Sequence, residues 1–489
     1  MRCHDRNRLL PILIALGLSA CRVGPEHVPP DAAPLVEAGW RQAIATDGPL
    51  TADGQELDRW WQSFGSDDLD ALAERLLEQN LSLREAAERA IQARARAGIA
   101  GATRLPQLDG TAGYFRAGTG AESLNFQGPP PGRELSLFTA GLSAAWELDL
   151  WGRVARSVES AEAGVDIAVE DQRAAAVALL AELAAAYVDA HTLRERLAVT
   201  ERSIAIQQQT EQLALVRWNA GSGTELDARQ AERQLAETRA VRPELERALR
   251  ATENRIAVLV GSRPADDLVP TTDALTLPPS IGVGVPADLL ARRADVRRAE
   301  RRLAQAVAAV GIAEADRYPR ITLLGSVALQ SSEFDSLFTG RDALAWSLGP
   351  SLTVPLFTGD RLDQQVLLRE SQVREAHLAF ERTLLEAIAE VESAAEGVVR
   401  TRERVTELER AVAAAERSSS LARALYTAGS QSLLQALDAE RAELAVTDAL
   451  LAARQAALAR TVDLYRALGG GFAPRPASTD DTDSHGAFR

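Results

Sequence analysis

FTAGLSAAWELDL, residues 138–150, alternates without a break between two kinds of side chain. Phe138, Ala140, Leu142, Ala144, Trp146, Leu148 and Leu150 form one set, and Thr139, Gly141, Ser143, Ala145, Glu147 and Asp149 the other. A period of two belongs to a β-strand, so the segment predicts a strand with one apolar and one wet face. A weaker strand is expected before it, over Leu108 to Arg116, joined through the Gly/Pro-rich loop from Ala117 to Gly132.

Outward from this pair the period lengthens. Trp151-Gly152-Arg153 opens a helical run to about Trp218, in which Leu179, Leu183, Ala186, Ala190, Leu193, Leu197, Thr200 and Ile204 recur at alternating spacings of four and three, a coiled-coil seam. Arg153 to Arg217 would extend roughly 100 Å, more than a lone globular domain needs. The turn Asn219-Ala220-Gly221-Ser222-Gly223 sends the chain back in a helix to about Val260, with a kink expected at Pro243, which lacks a backbone donor. Upstream, one helix is expected from Asp67 to about Thr103, its first turn carrying Asp67 and Asp68 and its end enforced by Pro106.

The same order then recurs. A helix from about Ala287 to Arg317 ends at Tyr318-Pro319, and alternation returns in Ile321, Leu323, Gly325, Val327 and Leu329 and again from Trp346 to Leu356. A long helix from about Asp360 to Leu425 meets the turn Thr427-Ala428-Gly429-Ser430, and the last helix runs to Leu468 with Leu437, Leu444, Leu451, Leu458 and Tyr465 every seventh residue. Trp218 to Ser222 aligns with Tyr426 to Ser430 at an offset of 208 residues. Residues 58–265 and 266–470 therefore read as an internal two-fold repeat, each half a helix, two strands and a long helical hairpin. Residues 471–489 are Pro/Asp/Ser-rich and are expected to be disordered.

The first residues set the compartment. Arg2, Arg6 and Arg8 precede a short apolar run from Leu9 to Ala20, too short to span a bilayer as a helix but suited to a signal peptide over residues 1–20. Leu18-Ser19-Ala20-Cys21 resembles the lipobox of bacterial lipoproteins, which makes Cys21 the lipid-attachment residue; an ordinary signal peptide with an incidental cysteine is the alternative. Cleavage removes Cys3 and leaves Cys21 alone, so no intrachain disulfide is possible. Arg22 comes next, where an aspartate often signals inner-membrane retention, so the outer membrane is favoured. Residues 21–57, rich in Pro, Gly, Asp and Ala, read as a lipidated extended tether.

Composition narrows the function classes. The 489 residues carry a formal charge of −15, and all 54 basic residues are arginine without forming a basic cluster, which argues against nucleic acid as a partner. Hydrophobic residues reach 46% with aromatics only 4%, a mix suited to closely packed helices. The mature histidines, His27, His191, His377 and His485, are not spaced as a metal pair, and no nucleophile elbow or phosphate loop is present. No enzyme, no metal site and no cofactor are expected. A periplasmic coiled-coil adaptor or scaffold would account for the hairpins and the lipid, but not for two pairs of alternating strands.

Those strands pose a problem of closure. Apolar faces suit lipid, yet four strands have open edges, which hydrocarbon does not tolerate. At least about eight strands are needed to close a barrel, so several chains must contribute: two would give eight, three twelve, four sixteen. An eight-stranded barrel fills itself with side chains, whereas the wider ones leave a lumen.

Several stretches resemble one family. Cys21 with Val23-Gly24-Pro25, Arg59-Trp60-Trp61, Trp146 to Arg153, Ala287 to Val296 and Val354 to Gly359 are similar, in order, to motifs of the outer membrane factor family (TolC-like), in its lipoprotein branch of NodT/OprM-like channels. The likeness covers about residues 21 to 470, with one departure at Ala294, where proline is common and whose loss should relax one turn. The resemblance implies a mixed α and β membrane protein: a homotrimer with a twelve-stranded transmembrane β-barrel, four strands per chain, continued by a long periplasmic α-helical barrel. It implies the outer-membrane exit channel of a tripartite efflux system, with a periplasmic adaptor and an inner-membrane pump of the RND type as partners, passively conducting drugs or other small molecules. The outer channel of a type I protein secretion system is the alternative. The mature chain has no methionine, which weighs against a path for soft metals.

The candidate site residues lie at the hairpin turns. Gly221 and Gly429 supply the positive φ of tight turns. By resemblance, the turns Trp218 to Gln230 and Tyr426 to Asp438 are periplasmic tips that close the resting channel and meet the adaptor, which assigns Trp218, Gly221, Asp227, Tyr426, Gly429 and Gln435 to them. Leu434 and Asp438 lie four apart and share a helix face. Position alone makes Leu434 packing and Asp438 a complement to a helix N-terminus. The resemblance makes them a gate, a leucine ring backed by an acidic ring, with Gln435 neutral where some relatives carry a further acid. Trp60 and Trp61 are expected to pack on the helices rather than to anchor in a membrane, and Trp146 and Trp346, at strand ends, to mark a membrane interface.

Overall fold

The computed structural model describes residues 22–36, 39–40, 48–51, 57–118, 134–264, 275–339 and 343–471. The expected signal peptide, Cys21, the loop 119–133 and the tail from 472 lie outside the described residues. In chain order the elements are β1 (Leu50–Thr51), α1 (Asp67–Gln79), α2 (Leu81–Ala102), β2 (Gln107–Gly118), β3 (Glu134–Leu148), α3 (Arg153–Asn219) and α4 (Glu225–Leu259). The second half has β4 (Ile281–Gly282), α5 (Ala294–Ala315), β5 (Arg320–Ser331), β6 (Leu344–Thr353), α6 (Arg361–Thr427) and α7 (Leu433–Ala467). The chain divides into two compact units, Met1–Pro30 with Arg89–Ala168 and Ala299–Phe380, and Asp31–Glu88 with Val169–Arg298 and Glu381–Arg489.

The first unit is built on a sheet of order β2-β3-β5-β6, antiparallel throughout. The two expected strand pairs join through β3 and β5. Among the described residues β2 and β6 each pair on one side only, so both edges are open. β3 stops at Leu148, two residues short of the alternating run, because Asp149 turns to cap α3: its carboxylate accepts from the Val154 and Ala155 amides at 3.0 and 2.7 Å. The Trp151 indole donates to the Pro319 carbonyl at 2.8 Å, and its ring stacks on Tyr318.

The chain just after Cys21 is packed down rather than extended as a free tether. The Val23 amide donates to the Trp151 carbonyl at 3.1 Å. Arg156, buried, donates to the Val23 and Gly24 carbonyls and pairs with Glu159 at 2.8 Å. Gly24, at φ +87°, rests on Gly311 so closely that a Cβ there would stand 2.5 Å from the Gly311 Cα. Further on, Ala33–Val36 is helical, and β1 pairs in parallel with β4.

The two helical hairpins are equal in length. α3 and α6 have 67 residues each and α4 and α7 have 35 each, and each start and end in one hairpin lies 208 residues before its counterpart in the other. Pro243 sits inside α4 without ending it. Along α3, Leu183, Ala186, Ala190 and Thr200 of the expected seam are buried, but so are Ala176, Leu180, Ala184 and Tyr187. The buried side is wider than a two-helix seam because α3 packs on more than one neighbour.

Two expected continuous helices are broken. Asn80 separates α1 from α2: its side chain accepts from the Leu83 amide at 2.9 Å and donates to the Leu259 carbonyl at 2.7 Å, capping one helix and fastening it to the end of α4. Likewise Asp288–Arg292 and α5 are separated by the extended Arg293. The turn expected to relax without proline at Ala294 keeps its break, because the buried Arg293 guanidinium is held by Asp295 at 2.6 Å, Glu390 at 2.8 Å and the Ala467 carbonyl at 2.8 Å. Trp60 and Trp61 are each 3% exposed, and Trp60 stacks on Tyr465 with ring centroids 5.2 Å apart. They pack against the helices.

Candidate functional site

Cross-strand partners point to the same side of a sheet, so the register sorts every side chain. One face carries Leu108, Ala112 and Tyr114 of β2, Phe138, Ala140, Leu142, Ala144 and Trp146 of β3, Ile321, Leu323, Val327 and Leu329 of β5, and Leu344, Trp346, Leu348 and Leu352 of β6. The opposite face carries Asp109, Thr111, Thr139, Ser143, Glu147, Thr322, Ser326, Gln330, Ser347 and Ser351, with Phe115, Leu137 and Leu324 as its large apolar exceptions. Leu142, Val327, Leu344, Trp346, Leu348 and Leu352 are all exposed. An exposed sheet this apolar on one side is unsuited to water on that side.

Phe138 and Trp146 stand eight residues apart on the apolar face, about 26 Å along the strand. At the ~35–45° tilt of outer-membrane strands this projects to about 20 Å, most of the ~25 Å apolar band between the aromatic girdles. Phe138 packs on Tyr114 and Phe334, and Trp146 donates to the Arg104 carbonyl at 3.0 Å. Trp346, expected to pair with Trp146 as an interface marker, is not level with it: it lies opposite Val327, which lies opposite Leu142, in the middle of that span.

At the far ends of the hairpins the two turns are built alike. Gly221 and Gly429 have φ of 73° and 75°. The Gly221 and Ser222 amides donate to the Trp218 and Arg217 carbonyls, and the Gly429 and Ser430 amides to those of Tyr426 and Leu425, so each helix ends in the same Schellman cap. Thr224 and Asp227 form a capping box at the start of α4. Gln435 holds the position equivalent to Asp227, and its Oε1 accepts from the Ser432 hydroxyl at 3.4 Å, so this side chain is engaged at the start of α7.

The tips are tied to each other inside the chain. Tyr426 is 5% exposed, in a cluster with Ala214, Ala231, Leu433, Ala436 and Leu437. Arg217 lies over its ring at 4.6 Å and donates to the Thr427 carbonyl at 3.1 Å. Burial raises the Tyr426 phenol above its ordinary value, with Arg217 opposing. Trp218 is half-buried. Sequence reasoning missed Arg217; its place one residue before Trp218, the partner of Tyr426 at the 208 offset, was the available signal.

Leu433, Ala436 and Leu437 carry the packing of α7 on its own chain, whereas Leu434 is 51% exposed and does not. Asp438, one turn on, is exposed on the same side and lies 3.4 Å from Arg441. Arg441 also donates to Gln234.

A sheet with a lipid-suited face and two open edges, joined to long helical hairpins, defines a channel-forming subunit of an outer membrane. The sequence profile of the family described as outer membrane efflux protein matches residues 72–262 and 285–470, and the chain belongs to that family. It is 34% identical over 482 residues to nodulation protein T of Rhizobium leguminosarum bv. viciae, covering 96% of each chain. It is also 34% identical to outer membrane protein OprJ of Pseudomonas aeruginosa, covering 94% of this chain and 95% of that one. Among solved structures, the outer-membrane channel OprN superposes with a TM-score of 0.83 at 31% identity, over 92% of this chain and 99% of its own. The protein is thus an outer-membrane efflux channel that reaches into the periplasm.

Proposed function

We propose that three copies close into one twelve-stranded barrel, continued by a periplasmic helical barrel, and that the trimer is the exit duct of a tripartite pump. The sorting of apolar and polar side chains across all four strands carries this reading. With β2 and β6 open, each copy must find its missing neighbours in other copies, because an unpaired edge in hydrocarbon costs several kcal/mol per polar group. The apolar face meets lipid and the Ser/Thr-rich face lines a wet lumen. The hairpin tips close the resting channel and contact a periplasmic adaptor, with an inner-membrane pump of the RND type supplying the energy. Drugs or other small molecules are the cargo class, and the duct itself conducts passively.

Mass measurement in detergent is expected to give three chains per particle. A monomer that stays soluble without detergent would overturn the barrel. The lipid is a separate matter, motivated by Leu18-Ser19-Ala20-Cys21. Labelling cells with a radioactive fatty acid should mark the parent and not Cys21→Ser, and label persisting in the variant would refute the anchor. The variant is still expected in the outer membrane, since the barrel holds it there.

A further inference from the structure

Two buried acceptors without donors line one cleft among α3, α6 and α7. The cleft measures about 340 Å³ and is lined by Gln207, Glu440 and Thr447 among others. Gln207 is 4% exposed and the Glu440 side chain 5%. Glu440 Oε1 lies 3.4 Å from Arg423 Nε and accepts a long hydrogen bond from the Thr210 hydroxyl at 3.5 Å. Among the described residues Glu440 Oε2 and Gln207 Oε1 have no hydrogen-bond partner. Arg423 does not complete the pair: it donates through Nη2 to the Ser419 hydroxyl at 3.3 Å, while its Nε faces the carboxylate without hydrogen-bond geometry.

An ionised carboxylate placed so is costly, since a buried charge needs donors on its lone pairs and one oxygen here has none. Glu440 lies beyond the first turn of α7, so the helix N-terminus gives it little help. The other charged groups facing the cleft are Arg202 from α3, Glu416 and Arg423 from α6, and Glu443 from α7. With Glu440 itself, three carboxylates stand against two guanidinium groups.

We propose that Glu440 is a proton-binding site, taking one proton on Oε2, and that its occupancy sets how firmly the start of α7 is held on α3. The proton turns an orphan acceptor into a donor in the cleft that also holds the orphan oxygen of Gln207. Burial pushes this carboxyl above the usual range and Glu443 adds to the effect, while Arg423 and Thr210 oppose it. Linkage sets the sign. The packed form binds the proton more tightly than a solvated glutamate does. The contact is therefore strongest at acid pH and weakens as pH rises from the ordinary glutamate value through the raised one. Because Leu434 and Asp438 lie within two turns of Glu440, rising pH loosens the segment that carries them. The cleft is built within one chain, so the proton site is the same whatever the number of copies in the barrel.

The test uses the full-length channel in detergent, comparing the parent with Glu440→Gln, which keeps the shape and cannot ionise. Infrared difference spectra between a pH near the ordinary glutamate value and more alkaline pH should show a protonated-carboxyl carbonyl band that the variant lacks. Amide hydrogen exchange in residues 203–214 and 433–447, corrected for the intrinsic rate, should rise about tenfold over that range in the parent and less than about twofold in the variant. Gln207→Glu places a fourth carboxyl in the cleft and should move the band to higher pH, which decides the matter if Glu440→Gln does not fold. A spectrum unchanged by Glu440→Gln, as expected if water or Arg423 keeps the carboxylate ionised, refutes the site. Loss of the band with exchange unaltered refutes its hold on α7.

Discussion

Leu142→Arg should keep the protein out of the outer membrane, whereas Ser143→Arg, one residue along the same strand, should leave insertion intact. Leu142 stands midway between Phe138 and Trp146 on the apolar face, opposite Val327 and in line with Trp346. A charged side chain at the midplane of the lipid face costs about 2–4 kcal/mol, and a trimer incurs it three times. Ser143 points to the other face, directly opposite Asp109, where an arginine finds water and a carboxylate within cross-strand reach. Membrane fractionation and the yield of heat-sensitive oligomer measure the difference. Most of the Leu142→Arg chains should fail to reach the membrane, while the Ser143→Arg channel should assemble with altered ion preference. Equal insertion of the two variants would mean that the faces are assigned wrongly.

The parts of the fold that sequence alone made legible are those whose determinants are local. Alternation marked β3 because each residue there reports its own face, and Gly221 and Gly429 marked the hairpin ends because a positive φ is a property of one residue. What escaped depends on distant partners. Asn80 reads as an ordinary residue of a helix until the Leu259 carbonyl, 179 positions away, accepts a hydrogen bond from its side-chain amide. Arg293 holds its break through Glu390 and the Ala467 carbonyl, so periodicity could not find it. Gly24 belonged to a stretch whose composition suggests a free tether, yet it is a glycine placed where Gly311 leaves no room for a Cβ. At the tips the turns were read correctly as turns, and Leu434 and Asp438 as sharing a face. Arg217 and Glu440 were passed over because charged residues on long helices usually meet water.

Removing Leu434 and Asp438 together should open the resting channel more than either change alone. If the exposed side of α7 turns toward the axis of the proposed trimer, three leucines would close the bore by dewetting. Three carboxylates about 6 Å from an ion on that axis would contribute roughly 2 kcal/mol at the dielectric of water. Screening near 0.1 M salt roughly halves this, so Asp438→Ala should lower the cation concentration at the ring about sixfold and weaken cation preference. The nearby Arg441 offsets part of the charge, which makes that figure an upper bound. Leu434→Ala should raise conductance in planar bilayers and sensitivity to large antibiotics such as vancomycin. Each single effect is limited, because the buried cluster around Tyr426 and the Arg217 contact to Thr427 still hold the two tips of a chain together. The double variant loses both the apolar plug and the charge ring and should show the largest leak. If it conducts, selects and excludes vancomycin as the parent does, while trimers form normally, these two side chains do not gate the channel and the constriction lies elsewhere.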